Sequence, residues 1–230
     1  MSISAQIWKQ IGSGPNVSGR KPPVPAAAMA RLGNLSEAPA FSLMHQLFFP
    51  TATLRRTSIL FAAADAHSKA SALCEQIAVA LSKVSGEMVG IVEACSSLNR
   101  NPWTKKGMPS SFGRGLWQVY SSRLSEGVWR IPPALLGNEC SASRDSTSDG
   151  LKELRGTFKY FLFSASINES ETPILCNLCQ AAVLVLTANV TRRETALRAK
   201  EQLLRQGVTL LGTVLDQRTL PIPESIYQRL

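Results

Sequence analysis

The sequence predicts an α/β domain: a doubly wound, mostly parallel sheet with helices on both faces, preceded by an irregular leader. Three observations carry that expectation. Several apolar runs are unbroken, the pattern of strands covered on both faces rather than on one. They alternate with helical patterns of roughly 10 to 15 residues, as in successive β-α units. At one junction the run Ile59-Leu-Phe-Ala-Ala-Ala passes through a short polar loop containing Lys69 into a helix.

Taken in order, residues 1–38 are rich in Gly, Pro, Ser and Ala without sustained periodicity and read as a basic leader. Residues 39–230 read as the domain. Between Pro39 and Pro50, Ala40, Leu43, Met44 and Leu47 fall at i, i+3, i+4 and i+7, which predicts a short amphipathic helix docking on the domain. Pro39 is tolerated in its first turn. Strands are expected at Ser58–Ala63, Met88–Ala94, Val128–Ile131, Phe158–Phe163, Ala182–Ala188 and Val208–Leu215. A helix marked by Leu73, Ile77, Leu81 and Val84 follows the first strand. Another follows Val190, with Thr191 and Glu194 spaced as a capping box, Glu194 and Arg198 as an i, i+4 pair, and Gly207 as the stop. The Ser-, Gly- and Asn-rich stretches 96–127 and 138–157 are expected to be long loops with short helices.

Composition narrows the function classes. With 44% hydrophobic and 18% charged residues the chain is globular in type. No apolar run approaches the ~20 residues of a membrane span. The N-terminus lacks a secretory pattern, so a cytoplasmic location is expected. Five cysteines cannot form a complete internal disulfide framework, and two histidines exclude a multi-histidine metal centre. Cys176 and Cys179 make one C-x-x-C without a second pair; on a helix they would share a face as two packed thiols. Residues 1–56 carry Lys9, Arg20, Lys21, Arg31, Arg55 and Arg56 against Glu37, or +5 of the net +9. These charges are dispersed, which suits a solubilising segment better than a nucleic-acid or lipid contact. Trp103, Trp117 and Trp129 are expected in core or loop packing. Lys105 and Lys106 beside Trp103 are a thin basis for an anion contact.

The loop after the first strand has the strand–loop–helix context of a phosphate cradle. In such loops glycines turn successive N–H groups inward, a lysine neutralises phosphate charge, and a Ser/Thr hydroxyl holds magnesium. Here Ala66 and Ser68 stand at glycine positions, Lys69 is present, and Ala70 follows it. A Cβ where φ must be positive opposes the cradle geometry. Asp65 and His67 offer a ligand or base, though a lone pair on a polar loop is ordinarily solvated.

Several separated segments then match one family in order. They are the Lys69 loop, Phe48-Phe49-Pro50, Thr191-Arg-Arg-Glu-Thr-Ala, Leu211-Gly-Thr-Val-Leu215 and the ending Thr219-Leu-Pro-Ile-Pro-Glu-Ser-Ile-Tyr-Gln-Arg-Leu230. From about residue 40 onward the chain resembles the cytoplasmic tyrosine autokinases of bacterial polysaccharide export, the CpsD/CapB-like proteins. These are relatives of the MinD/ParA deviant Walker ATPases, so the resemblance implies a P-loop NTPase-like fold, with ATP and Mg2+ as the family's cofactors. It sets a nucleotide-binding stretch on Ala66, His67, Ser68, Lys69, Ala70 and Ser71, with Asp216 at the base-reading position. The magnesium hydroxyl position is Ala70, followed by Ser71. The second acidic motif has Glu93 and Cys95, and the Walker B aspartate position holds Ser164. The tyrosine-rich tail of such kinases is absent, leaving Tyr227 near the end. Lys69, Glu93 and Ser164 are thus the vestiges of a catalytic set, and Ser71 and Glu93 are what remains for a metal.

Removing one preorganised stabiliser typically costs ~3–4 kcal/mol, or ~10²–10³ in rate, so two or three such losses would leave negligible turnover. The expectation is a pseudo-kinase that regulates or scaffolds exopolysaccharide or capsule synthesis and export. Its expected partners are a membrane-anchored chain-length or export protein, a second copy of itself, or an active kinase paralogue. No nucleic acid is expected. The alternative is a working autokinase using Lys69, Ser71 and Glu93. A ParA-like DNA-binding factor ranks below both, because the chain lacks an aromatic-and-basic stripe.

Overall fold

The computed structural model describes residues 38–50, 55–65, 68–94, 117–118, 121–133 and 154–216. The expected leader, Ala66, His67, Cys95, Trp103, Lys105, Lys106 and the segment from 217 onward, Tyr227 included, lie outside the described residues.

The elements run α1 (Ala38–Phe48), β1 (Ser58–Ala63), α2 (Ala70–Ser85), β2 (Val89–Glu93), β3 (Ser122–Ser125), β4 (Val128–Ile131), β5 (Tyr160–Ser166), α3 (Thr172–Leu178), β6 (Ala181–Thr187), α4 (Arg193–Arg205) and β7 (Leu210–Asp216). One seven-stranded sheet has the order β3-β4-β2-β5-β1-β6-β7. Every pairing is parallel except β3 with β4. All six residues of β1 are buried, as its unbroken apolar run requires.

The alternation of the strands divides the core. Ile59, Phe61, Ile91, Leu162 and Val183 face one layer with α1 and α2. Leu60, Val92, Phe161, Phe163 and Leu184 face the other, which α3 and α4 cover through Leu175, Cys176, Ala199 and Leu203. Helices therefore lie on both faces, and the sheet is doubly wound as predicted. From β1 the chain crosses to β2 on one side, and from β5 it crosses to β6 on the other. The order reverses between β1 and β5, the place where open α/β sheets form a crevice beyond their carboxyl ends.

The helix α1 docks as its spacing predicts, burying Ala40, Leu43, Met44 and Leu47. Phe48 closes it edge-on against Tyr160, with ring centroids 5.6 Å apart. On α2, Leu73, Ile77 and Leu81 are buried, but Val84 is exposed in the last turn before Gly86. Trp117 and Trp129 pack together at 5.3 Å and continue into Phe158, as core aromatics rather than a surface.

Four local expectations are corrected. The 96–127 stretch contains a strand, β3, whose Ser-Arg-Leu-Ser sequence has no apolar alternation. It exists because the Glu126-Gly127 turn folds it back on β4, with Gly127 at φ +73°. Strand β5 starts at Tyr160, since the Phe158 amide closes a helical turn on the Leu154 carbonyl at 2.7 Å. The capping box does not form: α4 is entered through Arg192, which provides no side-chain cap. The Thr191 hydroxyl is engaged with Asp65 and with the Thr187 amide instead. Finally, Cys179 lies just past α3 in an extended conformation, so the two thiols do not share a helical face.

Candidate functional site

The site is built from strand ends. Strand β1 leads into the loop 64–69, whose far side opens α2. Asp65 holds this loop: its Oδ1 accepts the Ser68 amide at 3.0 Å, and its Oδ2 accepts the Thr191 hydroxyl. Thr191 Oγ1 in turn accepts the Thr187 amide at 2.8 Å. The loop is thus fastened to the β6–α4 connection, and an aspartate takes a backbone N–H of the kind that faces phosphate in a cradle. Lys69 stands at the N-cap of α2 with φ −92° and ψ 46° and is exposed. Ala70, the first residue of α2, is buried and offers no hydroxyl. Ser68 is half-buried, with its Oγ lacking a hydrogen-bond partner among the described residues.

Ser164 sits across the crevice. It pairs in register with Phe61 of β1 on one side and Glu93 of β2 on the other. It is buried and carries no carboxylate. Glu93 ends β2 and is met by Ser71, whose hydroxyl donates to Glu93 Oε1. Arg130 of β4 reaches the same carboxylate, its Nε 3.5 Å from Glu93 Oε2, while its Nη2 pairs with Glu75 Oε1 on α2. Beneath this group lies Cys74, whose thiol is pushed well above its ordinary value by burial and next by the charge of Glu93. Such a thiol is inert as a nucleophile.

Asp216, expected at the base-reading position, is buried at the end of β7 beside Thr187. Its carbonyl accepts the Ala188 amide at 2.8 Å. One strand, β6, separates its own strand β7 in sheet order from β1, which leads into the Lys69 loop. The structure therefore brings Ser71 and Glu93 into contact and sets Ser164 next to Glu93. Lys69 and Asp216 lie at the same carboxyl edge of the sheet.

Comparison with solved structures shows what the fold is like. The chimerical protein CapA2B2 superposes with a TM-score of 0.59 at 14% identity, covering 84% of this chain and 89% of that one. The kinase domain of the Escherichia coli tyrosine kinase ETK gives 0.57 at 12% identity, covering 90% and 86%. The tyrosine kinase domain of BceF gives 0.56 at 16% identity, covering 82% and 80%. The fold is that of the bacterial tyrosine kinase domains. The sequence matches no protein-family model and no curated protein.

On this kinase-domain fold, sequence reasoning missed Arg130 and Glu75 altogether, and it named Asp65 and Thr191 without their contact. Nothing in the local pattern marks Arg130, because its partners come from α2 and β2. Elsewhere, Cys176 and Cys179 are raised by burial to about 11 and about 12. Among the described residues no three His, Cys, Asp or Glu side chains cluster as a metal site, and no helix is long and apolar enough to cross a membrane.

Proposed function

We propose that this chain is a catalytically impaired relative of the polysaccharide-export tyrosine autokinases and serves as a regulatory or scaffolding subunit. The observation that carries the reading is the commitment of the Ser71–Glu93 pair: the hydroxyl donates to the carboxylate, and Arg130 Nε lies 3.5 Å from the other oxygen. Magnesium in phosphoryl transfer needs oxygen ligands from the protein, usually one or two carboxylates with waters. Here Ala70 has no side-chain oxygen to give, Ser164 brings no carboxylate, and Glu93 already shares Arg130 with Glu75. This donor set does not fit a magnesium ion. The kinase-domain fold supports a role at the same type of complex: a cytoplasmic subunit held at the membrane by a chain-length or export protein. A second copy or an active paralogue would share that complex.

Calorimetric titration with ATP and magnesium tests the reading. We expect no saturable binding at micromolar nucleotide, and magnesium-dependent micromolar affinity would overturn it. The second reading, a working autokinase, is favoured by exposed Lys69 at the N-cap of α2 and by the convergence of Ser71 with Glu93. Incubation with labelled ATP separates the two. Label on the wild type and none on Lys69→Ala would establish the enzyme.

A further inference from the structure

We infer that Arg130 is the built-in counter-cation of this cleft, and that it closes the Ser71–Glu93 pair to divalent metal. The inference deepens the proposed reading, on which it rests for treating this cleft as the counterpart of a nucleotide site. Register places the arginine. Arg130 lies opposite Ile91, and Ile91 packs in the core layer beneath α2, so Arg130 and Glu93, two residues beyond Ile91, share that face. Ser71 and Glu75 are i, i+4 on α2 and present one stripe to the same place. A hydroxyl and two carboxylates from α2 and β2 therefore converge, and a guanidinium from β4 lies among them.

The contacts divide the arginine between both acids. Its Nη2 pairs with Glu75 Oε1, and its Nε lies 3.5 Å from Glu93 Oε2. Glu93 Oε1 is taken by the Ser71 hydroxyl. One oxygen of the carboxylate that a metal would use thus accepts a hydroxyl, and the other faces a positive charge at ion-pair distance without a hydrogen bond from it. A hard dication requires oxygens with free lone pairs and suffers repulsion from a guanidinium in the same shell. Arginine, unlike lysine, holds such a place with a rigid fork and stays charged at any working pH. An ordinary surface ion pair would add a little stability and change nothing else. A counter-cation makes a different claim, because its removal should uncover a metal site.

The test uses the full chain without nucleotide and follows free Mn2+ by paramagnetic resonance. The wild type is expected to show no site tighter than about 1 mM, whereas Arg130→Gln should gain one site at least about tenfold tighter. Adding Glu93→Gln to that variant should abolish the gain. Equal Mn2+ binding by the wild type and a folded Arg130→Gln would overturn the inference. If that variant does not fold, a wild-type site tighter than about 1 mM that Glu93→Gln removes would overturn it equally. The outcomes stay apart from those of the ATP titration. Arg130→Gln blind to Mn2+ beside a wild type blind to ATP defeats the counter-cation alone. Metal-free nucleotide binding by the wild type defeats the proposed function alone.

Discussion

Gly127 shows how one residue can hold an edge of the sheet. Its φ of +73° is open to glycine and strained for any other residue. A Cβ there would stand 2.2 Å from Ser82 Oγ, which bonds the carbonyls of Glu87 and Glu126 at 3.1 and 3.3 Å. The serine would have to turn away and abandon both. Gly127→Ala is therefore expected to cost about 1–3 kcal/mol, read as a lower urea midpoint with an unchanged slope. The buried thiols make a second prediction at this scale. Cys176 and Cys179 rise from 9.0 to about 11 and about 12 in the fold because burial disfavours the thiolate. Protonated thiol is thus favoured in the folded chain relative to the unfolded one. Their contribution is complete below pH 9 and is lost as pH rises through about 11 and 12. Denaturation midpoints should fall over that alkaline window. At pH 8 both thiols should react with a disulfide reagent only after unfolding. Part of the site was legible in the sequence, including the pairing of Ser71 with Glu93. Lys69 and Ser71 could be named from the strand–loop–helix pattern, and Glu93 from the family resemblance. Arg130 and Glu75 are 55 positions apart, and Thr191 and Asp65 are 126 apart, so neither pair has a local signal.

At the scale of elements, periodicity was readable wherever burial decided the conformation. β1 and β4 have the bounds their apolar runs predict, and α1 buries the four residues its spacing marks. Misses fall where a contact between elements overrides local preference. β3 is a strand only through β4, and α4 starts one residue late, its cap at Arg192, because Thr191 serves Asp65. The strength of α1's docking can be measured. Met44 and Phe48 are fully buried between α2 and the sheet, although only a described segment of 11 residues carries them. Met44→Ala should leave a cavity that neighbours on a rigid sheet cannot fill, costing about 2–5 kcal/mol. If α1 were a loosely attached arm, the unfolding midpoint would hardly move. Independent local melting of α1, seen by hydrogen exchange, would then replace the single transition.

For the molecule as a whole, the parallel sheet sets Glu93 and Asp216 at strand ends on one carboxyl edge, and the order reversal between β1 and β5 is where such sheets form a crevice. That crevice is common to folds with many functions, so geometry at this scale says where a ligand would go and leaves open whether one does. Thermal unfolding decides the matter, because any ligand that binds only the native state must raise its stability. A nucleotide bound with micromolar affinity and supplied at about 1 mM would add ~4 kcal/mol. For a chain of this length, each kcal/mol moves the midpoint by ~2–4 °C, giving a shift of roughly 8–16 °C. Under the proposed function the dissociation constant exceeds the nucleotide concentration. The gain then stays below about 0.4 kcal/mol, and the shift below about 2 °C. Neither EDTA nor added magnesium should alter this, since the Glu93 carboxylate is held by Ser71 and Arg130 in every case. A large magnesium-dependent rise would mean that Arg130 yields its place to the metal when nucleotide arrives. The ion pairs of the resting cleft would then be a gate rather than a substitute.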